Sequence, residues 1–329
     1  MKIKAFVSVL FILMFSSGFA YAGKVTVNLG YAGAEGCVYS VLADEFEVLA
    51  EKYSNNTIDV KVRCCTQLAT EDEAFKAMQL GTVDMYIITS NNISPHFPLM
   101  DAFVLPYIFQ NKEHTYKILN GPIGKDFAEQ LRKATGVYLL TYGFVGHRDF
   151  YNSVRPINSM ADMKGIKIRV PKNQVMIETF RAFGAAPIPL AWAETPTALQ
   201  TGTVQGADNG TSFIKSQKFY ELADNLAILE HFSYFSPLFA SPRVMKKFSA
   251  EQKQAILRAA EEAGNYHRDK MQKEVSEIRE FLKTTGGMTT TYPDKAEFIK
   301  AALTVQDKYM ADKGDDFKSL VKAIREAAK

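Results

Sequence analysis

The chain has 329 residues, 47% hydrophobic and 23% charged, and its 39 basic and 36 acidic side chains leave a formal charge of +3. That is enough chain for two domains, and a scattered, near-neutral charge gives no electrostatic ground for nucleic acid or an anionic membrane surface as a partner. Five dispersed histidines and three cysteines offer no metal-ligand spacing, and no H-E-x-x-H pair, nucleophile elbow, Walker loop or G-x-G-x-x-G occurs, so no metal or cofactor is expected and an enzyme is disfavoured.

The first residues have the form of an export signal. Lys2 and Lys4 precede the apolar run Ala5–Phe15, and Ala20-Tyr21-Ala22 has the A-x-A form of a cleavage site. The run is too short to span a bilayer comfortably, which takes about 20 apolar residues. Cleavage after Ala22 is therefore expected, giving a mature chain of 307 residues (329 − 22) with a charge of +1 once the two lysines are lost. The expected location is the periplasm.

Strand and helix signals then alternate. Lys24–Gly30 is β-rich, and residues 38–53 place Val41, Leu42, Phe46, Leu49 and Ala50 at helical spacing. Ile58–Val62 alternates apolar and polar side chains. Thr70-Glu-Asp-Glu73 has the form of a capping box opening a helix that ends at Gly81. Val83–Thr89 is the next strand. This order predicts an α/β domain with a largely parallel sheet, whose ligand would sit at the carboxyl ends of the strands. The loops after Gly30, Thr66 and Thr89 are the first places to look, and Asn91 is a candidate ligand contact in the last of them.

A second α/β segment begins near Gly146, with strands at 166–170, 185–190 and 204–208 and helices at 173–183 and 194–201. From Ser249, itself in the capping box Ser249-Ala-Glu-Gln252, a helical pattern runs to about Lys283, long enough to span two lobes. Two helices near 294–310 and 316–327 finish the chain. The expected organisation is a signal peptide (1–22), lobe I (23–145) and lobe II (146–229), both completed by parts of 230–329, with the long helix at 249–284. No flexible linker occurs, so crossing strands are expected to join the lobes. Cys37 begins a helix and Cys64 and Cys65 end a strand. One bridge from Cys37 to Cys64 or Cys65 is expected, with three buried thiols as the alternative.

Four stretches in the middle of the chain, Gln79–Met85, Phe103–Phe109, Met163–Val170 and Ala198–Asn209, together resemble the solute-binding receptors of TRAP transporters, the DctP-like family. Gln205 stands where aspartate is common, and Asn209-Gly210 where Asn-Pro is common. The resemblance implies two lobes closing on a small carboxylate-bearing solute and delivering it to separate small and large membrane subunits, and a monomeric receptor is expected.

It also implies roles for named residues. Arg169, at the strand end in the K-I-R motif, matches the arginine that pairs with the ligand carboxylate, for which a planar guanidinium fork is suited. Arg148 matches a second ligand-facing arginine, with a salt bridge to Asp149 or a neighbour as the alternative. Asn209 matches a ligand-contacting asparagine, although it could instead cap the helix near Ser212. Trp192, Tyr234 and Glu35 resemble features of members that bind compatible solutes such as ectoine. They would suit a zwitterion, unless the two rings are simply core. Two other classes stay open: a periplasmic enzyme using His147 as base beside Arg169, and a sensor module.

Overall fold

The computed structural model describes residues 24–328; the leader with its cleavage site lies outside them. Among the described residues no helix is long and apolar enough to cross a membrane.

Among the described residues nine strands form one sheet: β1 Val25–Tyr31, β2 Ile58–Arg63, β3 Met85–Ile87, β4 Tyr138–Asn152, β5 Lys167–Val170, β6 Ala186–Pro189, β7 Gly206–Asn209, β8 Asn225–Ala240 and β9 Thr289–Thr291. Their order is β2-β1-β3-β8-β4-β7-β5-β6, with β9 beside β8. The β1–β3 and β5–β7 groups are parallel, as βαβ alternation dictates. The centre departs from the parallel expectation: β8 runs antiparallel to β3 and β4, and β4 antiparallel to β7. These two long central strands belong to both halves of the molecule, which is a two-lobed α/β fold. The expected lobe boundary at 145/146 falls inside β4, where the ladder with β8 shifts register between Phe144 and Gly146. Gly146 has φ +115° there, a conformation only glycine adopts without strain.

Local signals account for the helices. Thr70 and Glu73 close a reciprocal cap on the helix Glu71–Leu80, which ends at left-handed Gly81. Ser249 and Gln252 do the same for Ala250–Lys283. The N-terminal half of that helix buries Ile256, Ala259, Ala260 and Ala263 in the core cluster of the β1–β3 half. Its C-terminal half buries Ile278 and Leu282 with Tyr151, Phe219 and Leu226 in the other half. Gly264 allows the helix to lie directly on β4, since a Cβ there would collide with Thr141. The expected bridge from Cys37 is absent. Cys37 is buried, Cys64 half-buried and Cys65 exposed, all three free. The turn after β2 pulls Cys64 and Cys65 together instead of toward the helix that Cys37 opens.

Candidate functional site

Adjacent strands β4, β7 and β5 deliver Arg148, Asn209 and Arg169 to one place. The β1–β3 half supplies Tyr39, Glu71, Thr89, Asn91 and Asn92, and Tyr234 comes from β8. These groups, with Pro171, Trp192 and Phe213, line one cavity between the lobes. The two halves also touch each other beside it. Asn173 Nδ2 donates to the backbone oxygen of Asn91 (3.2 Å) while its Oδ1 caps the next helix at Met176 N (3.0 Å). Lys172 pairs with Asp72 at the rim (3.2 Å).

The two arginines have different electrostatic lives. Arg148 is neutralised: its Nε and Nη2 donate to the carboxylate of Asp208 (2.6 and 3.1 Å), and Nη2 also to the Asp208 carbonyl (2.6 Å). Both partners are buried. The guanidinium beside it holds the Asp208 carboxyl well below the usual carboxylate range. His231, fully buried, lies 3.3 Å from Asp208 through Nε2, and burial depresses its own basicity. The salt-bridge alternative for Arg148 is thus realised with Asp208; Asp149 pairs with Arg279 on the long helix (3.1 Å).

Arg169 is buried yet has no salt bridge among the described residues. Its Nε and Nη2 donate to one carbonyl, Leu190 O (3.0 and 2.8 Å). Of five guanidinium N–H donors, three are left over. Desolvation and the nearby Arg148 both disfavour its charge, as expected of a cation waiting for an anion. The Trp192 indole lies under it at 5.6 Å and is itself held edge-on by Phe213 and Phe219. Arg148 stacks likewise on Tyr234 at 5.1 Å.

The opposite wall is built around Glu71. Its carboxylate accepts from Thr89 N (3.1 Å), Thr89 Oγ1 (2.7 Å), Asn92 Nδ2 (2.6 Å) and Tyr39 Oη (3.1 Å). Burial raises its pKa while these donors and Arg169 oppose the rise. Tyr39 Oη also meets Tyr234 Oη at 3.0 Å. Four donors saturate the carboxylate, so Glu71 orders Tyr39, Thr89 and Asn92 around the cavity. Asn209 Oδ1 accepts from Gly210 N (2.9 Å). Its Nδ2 has no acceptor among the described residues, and the following helix is capped at Gly210 instead.

Arg169, Arg148, Asn209, Trp192, Tyr234 and Asn91 therefore meet in one cavity. Glu35 does not: it is exposed on the loop after β1, beside Asp44 and Cys64. That loop turns Tyr31 and Cys37 inward, which leaves Glu35 facing out. His147 does not line the cavity either; it packs on Phe144. Sequence reasoning missed Glu71, Tyr39 and Asp208. Glu71 sits inside the Thr70–Glu73 capping box, which already explained an acid in the first turn. Tyr39 sits on a helix face read as core.

Two lobes, a polar cavity between them and a buried cation with no salt bridge among the described residues are the layout of a solute receptor. Comparison with known proteins agrees. Residues 30–313 match the family model DctP, bacterial extracellular solute-binding protein, family 7, and the chain belongs to that family. The 2,3-diketo-L-gulonate-binding periplasmic protein YiaO of Escherichia coli K12 is 30% identical over 306 residues, 92% of each chain. Among solved structures, a TRAP periplasmic solute-binding protein from Polaromonas sp. JS666 bound to D-erythronate superposes with a TM-score of 0.87 at 28% identity, covering 92% of this chain and 98% of that one. The sugar acid-binding protein DctPAm of Advenella mimigardefordensis in complex with galactonate gives 0.88 at 26%, covering 93% and 98%. The protein is a solute-binding protein of the TRAP type, a class that works in the periplasm.

Proposed function

We propose that this receptor captures a small polyhydroxylated monocarboxylate, of the aldonate or uronate kind, and hands it to TRAP membrane subunits after removal of the leader at Ala22. The observation that carries this reading is Arg169: a buried guanidinium with three spare donors and no acidic partner is costly to keep, and a ligand carboxylate relieves that cost. Asn209 Nδ2, Asn91 and the hydroxyls of Tyr39 and Tyr234 are then available to the hydroxyl groups of the solute. Carboxylate-bearing solutes occupy similar proteins, D-erythronate and galactonate among them.

The zwitterionic, ectoine-like alternative keeps Trp192 and Tyr234 in the cavity but lacks an acid for its cation. Glu35, its expected cation partner, faces solvent, and Glu71, the one acid in the cavity, is saturated by protein donors. Lobes divided inside β4 and β8 would close by bending that central ladder. The closed form is selected because the ligand contacts both walls at once. His147, the base that the enzymatic alternative invokes, does not line the cavity, which favours capture over turnover.

A thermal-shift panel of sugar acids, short dicarboxylates, neutral sugars and zwitterions tests the reading. A hydroxy acid at about 100 times its Kd should stabilise the fold by about 2.7 kcal/mol, with the corresponding neutral sugars silent. A response to neutral sugars or zwitterions but not to acids would overturn it.

A further inference from the structure

The adjacent pair Cys64-Cys65 plays no part in the cavity, and its geometry is unusual. The chain leaves β2 through Cys64, and Cys65 and Thr66 then both take φ +60°, two successive non-glycine residues in the left-handed region. That conformation is disfavoured for side chains bearing a Cβ. Backbone bonds hold it in place: Cys65 N donates to Gly33 O (3.0 Å), Thr66 N to Tyr31 O (3.3 Å) and Gln67 N to Cys64 O (3.1 Å). The turn brings Cys65 Sγ to 2.7 Å from Cys64 Sγ. Cys65 is exposed and Cys64 half-buried, so an external oxidant can reach the pair. Cys37 is fully enclosed behind Gly33, where a side chain would strike its sulfur, and burial pushes its thiol up to about 12.

We propose that Cys64 and Cys65 form a disulfide with each other in the exported protein, while Cys37 stays a thiol. The inference rests on the periplasmic setting of the family and not on the identity of the solute. In the reaction the exposed Cys65 thiolate attacks the disulfide of a thiol oxidant, releasing one thiol. Cys64 then displaces the second from the mixed disulfide. Two S–H bonds are lost and one S–S bond forms; two electrons and two protons end on the two thiols of the reduced oxidant.

Neighbouring Cα atoms lie about 3.8 Å apart across a trans peptide, short of the 4.4–6.8 Å or so that ordinary disulfides span. The resulting small ring is strained, and a strained, accessible disulfide is readily reduced. The site is thus a labile redox element and not a structural staple. Cys65 N holds Gly33 O on the neighbouring loop after β1, where a Cβ at Gly33 would lie 3.4 Å from Phe213, one of the rings lining the solute cavity.

The test uses the mature protein recovered from the periplasm after acid trapping of thiols, then denatured and alkylated without reductant. One alkylated cysteine, Cys37, is expected, with the peptide holding Cys64 and Cys65 two hydrogens lighter than the dithiol. Mild reduction by a monothiol should raise labelling to three cysteines. A Cys37→Ser variant should show no labelling before reduction and keep the light peptide. A bridge that includes Cys37, or three alkylated cysteines straight from the periplasm, would overturn the proposal. Because the readout is a mass on denatured chain, a folding defect in the variant would not obscure it.

Discussion

Replacing Arg169 by methionine should separate affinity from stability. The side chain makes two bonds to Leu190 O and leaves three donors free. A bidentate carboxylate pair consists of two charge-assisted bonds worth about 1.5–3 kcal/mol each, so affinity for an acid should fall by about 3–5 kcal/mol, or two to four orders of magnitude. The unliganded fold should behave differently. Stranding the Leu190 carbonyl costs about 1–3 kcal/mol, but removing a buried, unpaired cation returns several kcal/mol. The empty variant should therefore match the wild type within about 1 kcal/mol or exceed it, the usual signature of a strained functional group. Titration calorimetry with the best acid from the thermal panel, together with urea denaturation without ligand, measures both quantities. Arg169→Lys, which keeps the charge but loses the fork, should fall between. Wild-type affinity in the methionine variant would refute the assignment. So would an apo destabilisation above about 3 kcal/mol with binding intact, since that is how a structural arginine behaves.

Three further outcomes are expected. Asp208→Asn removes the counter-ion of buried Arg148 and should cost about 3–5 kcal/mol in urea denaturation; a loss under about 1 kcal/mol would mean Arg148 is neutralised some other way. Asn173→Ser keeps a competent helix cap but gives up the Nδ2 bonds to Asn91 O and Asp101 Oδ1 (3.2 and 3.4 Å), so solute should leave faster in stopped-flow, with affinity down about tenfold for a loss of about 1.4 kcal/mol. His267 is fully buried with Nε2 on Val38 O (3.1 Å) and no partner for Nδ1, and burial lowers its pKa to about 4. Its folded value lies below the unfolded one near 6.5. Its stabilisation is therefore present above about pH 6.5 and lost as pH falls toward 4, amounting to about 2 kcal/mol by pH 5. Asp149 works in the opposite sense, since burial raises its pKa to about 6 and the folded state gains stability as it takes up that proton. Comparing urea midpoints at both pH values for wild type and His267→Gln isolates the histidine, and an identical pH response would refute the assignment.

Much of the fold was legible where the signal was local. The boxes at Thr70 and Ser249 and the left-handed Gly81 mark helix ends through hydrogen bonds that span only a few residues. The period of residues 38–53 marks a buried face directly. The paired strands β4 and β8 were not legible as such. Each is buried on both sides over much of its length, so neither alternates, and their pairing is set by register shifts between segments some ninety residues apart. The site divides in the same way. Arg169 and Asn209 stand at strand ends, in a motif order shared with a known family, and Arg148 stands within β4. Asp208 was in plain sight beside Asn209, yet its role depends on β4 lying next to β7. Glu71 already had a sufficient local explanation as a first-turn acid. Glu35 was misplaced because a loop's position in sequence does not say which way its side chains turn.

The continuous β4–β8 ladder has a thermodynamic consequence. Free bodies that come together give up translational and rotational freedom worth about 4–15 kcal/mol, and lobes on a loose tether would surrender part of that at every capture. Here the orientations of the two halves are already narrowed when the chain folds, because both central strands run through both. Register shifts beside Gly146 and between Arg148 and Phe150 leave a few places where the ladder can flex without losing paired bonds. The entropy of bringing the walls together is thus largely spent during folding, and more of the free energy from the Arg169 contact is left to hold a dilute solute.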